Sequence, residues 1–161
     1  MAVNPSLGFE VEVLSQVRRL MESLPPLAAR LELGRDQHPG TSFRIIPSRA
    51  GAAPILVMIS ESGAAISVGK GSYRELHSSG SNILPGRPCS SELIAICEAV
   101  FRGGFEEKVV RDRNAEIIST SLSLSIEGRH VVFGSGGILK NPFQKHTVEQ
   151  VGYCSYLGEA V

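Results

Sequence analysis

Between Ile118 and Ile126 the chain alternates without a break, with Ile118, Thr120, Leu122, Leu124 and Ile126 in one set of places and Ser119, Ser121, Ser123 and Ser125 in the other. Successive side chains of an extended strand point to opposite faces, so this segment has one apolar face and one face of small hydroxyls. Such a strand belongs in a sheet that is buried on one side and open on the other. An antiparallel sheet meets that condition, whereas a parallel sheet carries crossover helices on both faces. The serine face reads first as wetted sheet surface, and in a sharper reading as a flat platform for a partner.

The rest of the chain supplies neighbours for this strand. Glu10 to Leu24 places Val13, Leu14, Val17, Leu20, Met21 and Leu24 at spacings of three and four, which predicts an amphipathic helix ended by Pro25 and Pro26. Four short segments with strand character follow: Leu27 to Leu33, Thr41 to Ile46, Ile55 to Ser60 and Ala64 to Gly69. The turns between them fall at Gly34, His38 to Gly40, Pro47 to Pro54 and Glu61 to Gly63. The last two segments should form a hairpin, and the segment from Ile55, apolar on both faces, reads as a central strand covered on two sides. Ser90 is the expected cap of a second helix, with Leu93, Ile96, Cys97, Val100 and Phe101 as its buried stripe and Gly103 and Gly104 as its stop. Phe105 to Arg111, Glu116 to Ile126 and Arg129 to Phe133 then form a second meander. The expected fold is α+β, a single domain over residues 1–161, with two amphipathic helices packed on a largely antiparallel sheet built from two meanders.

Aligning Gly63 with Gly128 pairs Ile66 with Val131, Val68 with Phe133 and Gly69 with Gly134, each after an acidic turn. A degenerate duplication of a helix-plus-meander unit accounts for this echo, and shared hairpin chemistry accounts for so short a match at least as well. Lys70 to Cys89 carries no sustained period, holds Gly71, Gly80, Pro85, Gly86 and Pro88, and reads as one long loop. Long loops in compact domains tend to carry function, which makes Tyr73, Arg74, His77 and Arg87 the candidate partner-binding residues.

Composition excludes several classes. Sixteen Lys plus Arg balance sixteen Asp plus Glu with no basic stripe, against the clustered cations on which nucleic-acid affinity depends. The longest apolar run, Ile55 to Ile59, is far short of the roughly 20 residues that span a bilayer. Cys89, Cys97 and Cys154 form no CxxC pair and are odd in number, which suits neither a disulfide framework nor a thiolate zinc site and points to the cytoplasm. The four histidines show no ligand spacing, so no metal or other cofactor is expected. Gly134 to Gly137 follows a strand but matches neither phosphate-loop pattern, and reads as a turn or bulge. No catalytic residue is assigned.

The function expected is binding without catalysis, that of an immunity or inhibitor protein, of bacterial type, which neutralises a partner toxin. A dimeric secretion or assembly chaperone is the alternative. A small enzyme is the third class, with Cys89, placed where a helix dipole favours a thiolate, working with His77 or His130.

Overall fold

The computed structural model describes residues 5–34, 41–78, 83–136 and 145–157. Helix α1 runs Pro5–Glu22 and is followed by β1 (Ala29–Leu33), β2 (Thr41–Pro47), β3 (Ile55–Ser60), β4 (Gly63–Val68) and β5 (Ser72–His77). Helix α2 (Cys89–Arg102) then leads into β6 (Phe105–Arg111), β7 (Ile117–Ile126), β8 (Arg129–Gly136) and β9 (Thr147–Tyr153). The nine strands of the described residues join one antiparallel sheet in the order β1-β2-β3-β4-β5-β8-β7-β6-β9. The fold is therefore α+β, with the helices on one face.

The order is symmetric about β5. On either side lie the three strands of a meander, β4, β3, β2 and β8, β7, β6, and each edge is closed by one further strand. The two glycines of the sequence echo open β4 and form the turn into β8, so the echo falls on equivalent hairpins. The additional residues of the first half form β1. The second half fills the matching edge from the other end of the chain, with β9, a strand not anticipated from sequence.

Alternation in β7 is as read. Thr120, Leu122, Leu124 and Ile126 are buried while Ser121, Ser123 and Ser125 are exposed. The same face of β3 and β4 buries Ile55, Val57, Ile59, Ile66 and Val68, and α2 lies against this side with ten of its residues buried. Val13 and Val17 of α1 complete the cluster.

Several expectations are corrected. The second helix starts at Cys89 with Pro88 in the cap position and no side-chain cap, while the hydroxyl of Ser90 donates to Glu12 of α1 at 3.3 Å. The stretch from Lys70 to Cys89 is not one loop, because Ser72 to His77 forms β5, paired with β4 over its whole length. Only Ser72 and Leu76 of β5 are buried, too few apolar residues to announce a strand without knowledge of its partner. Gly134 to Gly136 continues β8 and makes no turn. Gly136 has φ +97°, and a Cβ there would run into the Ile118 carbonyl of the adjoining strand. The turns expected at His38 to Gly40, Gly80 and the serines at 79 and 81, Gly137 and the residues following it lie outside the described residues.

The sheet is strongly curled. β5 and β6 are three strand spacings apart, about 14 Å in a flat sheet, yet Ser72 Oγ donates to Glu107 Oε1 at 2.7 Å. Both residues point to the helix side, so that side is concave. Glu107 is fully buried and accepts two more hydrogen bonds, from the Lys70 backbone N–H at 2.9 Å and from the Tyr153 hydroxyl at 2.6 Å. Gly69 turns the chain beside it with φ +68°, where a Cβ would overlap the carboxylate and the phenol. Beyond β9 the chain crosses to the loop between β2 and β3. Cys154 N–H donates to the Gly51 carbonyl at 2.9 Å, Ala52 and Cys154 form a parallel bridge, and the Tyr156 hydroxyl donates to Ala53 O.

Leu124→Ala should lower stability by about 2–5 kcal/mol through lost burial and a cavity, and Ser123→Ala should stay within about 0.5 kcal/mol of the parent; urea denaturation measures both. Tyr153→Phe removes one donor from a buried carboxylate, and the same measurement should find a loss of about 1–3 kcal/mol.

Candidate functional surface

Because the helices cover only the concave side, the convex face of the sheet is open among the described residues. One register row crosses it from edge to edge: Glu32, Arg44, Leu56, Ser67, Tyr73, Gly134, Ser121, Lys108 and Gln150. Charge lies toward the edges of this row and neutral residues fill its middle. On the next row stands Met58, paired with Ala65, and Val132 sits diagonally from Tyr73 across β5 and β8. Met58, Tyr73 and Val132 are 50%, 48% and 61% exposed. Beside them the serines of β7 provide a surface without charge.

β3 is thus not covered on two sides. Val57 and Ile59 are buried, but Leu56 is only half-buried and Met58 is half exposed, so the apolar residues of its second face look into solvent.

The four residues singled out from sequence do not form one surface. Tyr73 and His77 share the open face of β5, and Arg74 points to the other side, opposite Ile66. Its Nη1 donates to the Val132 carbonyl at 3.1 Å, and its Nε is buried without a hydrogen-bond partner among the described residues. Arg87 stands ahead of α2 and pairs with Glu127 of the β7–β8 turn at 2.6 Å, with both side chains nearly half exposed. Such a surface pair adds about 1 kcal/mol or less.

Met58 and Val132 were missed from sequence. Each alternates with buried neighbours as a partly covered strand would, and nothing local distinguishes an open apolar position from a covered one.

Where β5 and β8 part, a groove of about 560 Å³ is lined by Arg74, Ile83, Arg129, His130, Val131 and Val132. A second depression, of about 450 Å³, lies between the end of α2 and the β7–β8 turn, beside Arg102, Glu127 and His130. Among the described residues no group of three or more His, Cys, Asp or Glu is placed to hold a metal ion.

Cys89, Cys97 and Cys154 are free thiols. Burial first, and then the charge of Glu92, raise the Cys89 pKa to about 11, and burial together with Glu98 pushes that of Cys97 to about 12. These shifts oppose the helix-dipole effect expected from the position of Cys89 and keep its thiol protonated at neutral pH. Glu92 is itself buried in the first turn of α2 and accepts the Ile83 N–H at 2.9 Å. Among the described residues no helix is long and apolar enough to cross a membrane. No protein-family model, curated protein or solved structure matches the chain.

In the native protein iodoacetamide should alkylate Cys154 ahead of Cys89 and Cys97, as read by peptide mass spectrometry. At pH 8 a thiol of pKa about 11 is ionised on the order of one part in a thousand. The Cys89 rate should therefore keep rising about tenfold per pH unit above pH 9, where an ordinary thiol levels off. A Cys89 rate already level at pH 7 would mark an activated nucleophile.

Proposed function

We propose that this protein is a non-catalytic binding domain that takes another protein on the convex face of its sheet. The observation that carries the reading is β3, apolar on both faces and covered on one. Leaving Leu56 and Met58 at a water-facing position forgoes the roughly 25 cal/mol per Å² that burial provides, and a partner surface recovers it. Tyr73 beside them is the type of residue that concentrates energy in interfaces, and the uncharged serines of β7 can be dried at little cost.

Within this class we favour an immunity or inhibitor protein of bacterial type that occludes a toxin in the cytoplasm, where a reducing environment suits three unpaired thiols. The assembly-chaperone alternative draws support from β9, whose outer edge carries half-exposed Val148 and has no neighbouring strand among the described residues. Thiol catalysis finds no support in the raised pKa of Cys89.

The test is capture of the native partner from its own cells, followed by titration against Met58→Glu/Tyr73→Ala. Kd should rise at least tenfold, about 1.4 kcal/mol, with thermal stability nearly unchanged. Equal affinity for the folded double variant would remove the convex face from the interface.

A further inference from the structure

β1 is the outer strand of one sheet edge, with no strand beyond it among the described residues. Its hydrogen-bond phase against β2 is fixed at both ends: the Ser48 N–H donates to the Ala28 carbonyl at 2.9 Å and the Gly34 N–H to the Ser42 carbonyl at 2.8 Å. Hydrogen-bonded pairs alternate with open ones along an antiparallel ladder, so Arg30 and Glu32 turn their backbone groups toward β2. Ala29, Leu31 and Leu33 turn theirs outward, and Ala29 stands opposite Pro47, which has no N–H to offer. The side chains sort in the same way. Ala29, Leu31 and Leu33 share the helix side with buried Ile45 and Phe43, and Leu33 is half exposed there. Arg30 and Glu32 lie on the convex side, paired with each other at 2.9 Å.

The order Ala29, Arg30, Leu31, Glu32, Leu33 carries opposite charges at equal distances from Leu31. We propose that β1 pairs antiparallel with β1 of a second copy of this chain, about a two-fold axis at Leu31. In that register Leu31 faces its own counterpart, Ala29 faces the second copy's Leu33, and every outward N–H of one strand meets an outward carbonyl of the other. Arg30 falls opposite the second copy's Glu32 in the open pairs, where facing side chains stand closest. A slip of two residues either way sets arginine opposite arginine or glutamate opposite glutamate, so charge selects one register. β9, at the far edge, carries Glu149 and no cation, and two copies of it gain nothing of this kind. The pairing continues one sheet through both copies, with the helices on one side and the convex faces on the other. It goes beyond the partner contact proposed above, does not depend on it, and leaves Met58 and Tyr73 open. One short strand from each copy makes a small interface, so the dimer should dissociate at concentrations on the order of micromolar.

Sedimentation velocity of the intact protein, from about one micromolar to about one millimolar, should show reversible dimerisation. Arg30→Glu and Glu32→Arg, each alone, set like charges opposite one another across the axis and should weaken the dimer at least about tenfold. An equimolar mixture of the two variants should recover it, because every acid of one strand then faces a base of the other. The double variant Arg30→Glu/Glu32→Arg should recover it by itself. Both substitutions fall on exposed positions, and recovery in the mixture shows in addition that each variant is folded. Protein that stays monomeric throughout the range, dimers that survive both single variants, or a mixture and a double variant that remain monomeric would each overturn the proposal. Partner titration against Met58→Glu/Tyr73→Ala reads a different surface, so failure here and failure of the convex face are separate results.

Discussion

The shape of this protein depends on one buried carboxylate. Glu107 of β6 receives hydrogen bonds from Lys70 and Ser72 at the entry to β5 and from Tyr153 of the neighbouring β9, so it joins three segments of which the first is far from the other two in sheet order. A charge taken out of water with partners missing costs several kcal/mol, so Glu107 is tolerable only when all three segments converge. An apolar residue of the same size would fill the volume and specify no such convergence. The burden falls also on Tyr153, whose pKa is raised by burial and then by its bond to Glu107. The phenol therefore stays a donor at every pH at which the fold is of interest.

Curling has two results. It forms a trough deep enough to bury most of α2, including Glu92, whose carboxylate fixes the chain at Ile83. It also leaves the opposite surface convex, where side chains splay apart and neighbouring strands shield less of each one. Exposed Met58, Tyr73 and Val132 are thereby presented outward. Ion pairs mark both outer strands, Arg30 with Glu32 on β1 and Arg111 with Glu149 at β9, and charge along an edge discourages indiscriminate strand pairing. Any association through sheet surface is in this way directed toward the middle.

Segments whose pattern is settled by their own residues were legible in the sequence. β7 declared its buried and open faces, the three hairpins β3–β4, β6–β7 and β7–β8 fell where turn chemistry put them, and both helices were found by their apolar period but not by their starts, since α1 begins at Pro5 where Glu10 was expected and α2 begins at Cys89 without the expected Ser90 cap. β5 was hidden because Tyr73, Arg74, Glu75 and His77 are polar or amphipathic, and their strand conformation is imposed by β4. β9 was hidden for the same reason, its residues being mostly exposed at an edge. The candidate surface was half legible: Tyr73 and the serine face were picked out, but their placement on one continuous surface with Met58 depends on pairings between residues distant in sequence. The opposed directions of Tyr73 and Arg74 follow from β5 being a strand and could not be seen while it was read as loop.

The C-terminal return of the chain to the β2–β3 loop sets an order of events during synthesis. Strands β1 to β8 can pair as they emerge, but the Glu107 site lacks its phenol until Tyr153 is made, and Ala53 lacks its partner until Tyr156 follows. These contacts span about 46 and 103 positions of the chain, and long closures of this kind are slow to form. A nascent chain thus passes through a stage in which its sheet is built but not drawn shut, with the trough around α2 ajar. Quality control that recognises exposed apolar interior has its best opportunity in that interval, and the arrival of β9 with Tyr156 behind it decides when it ends.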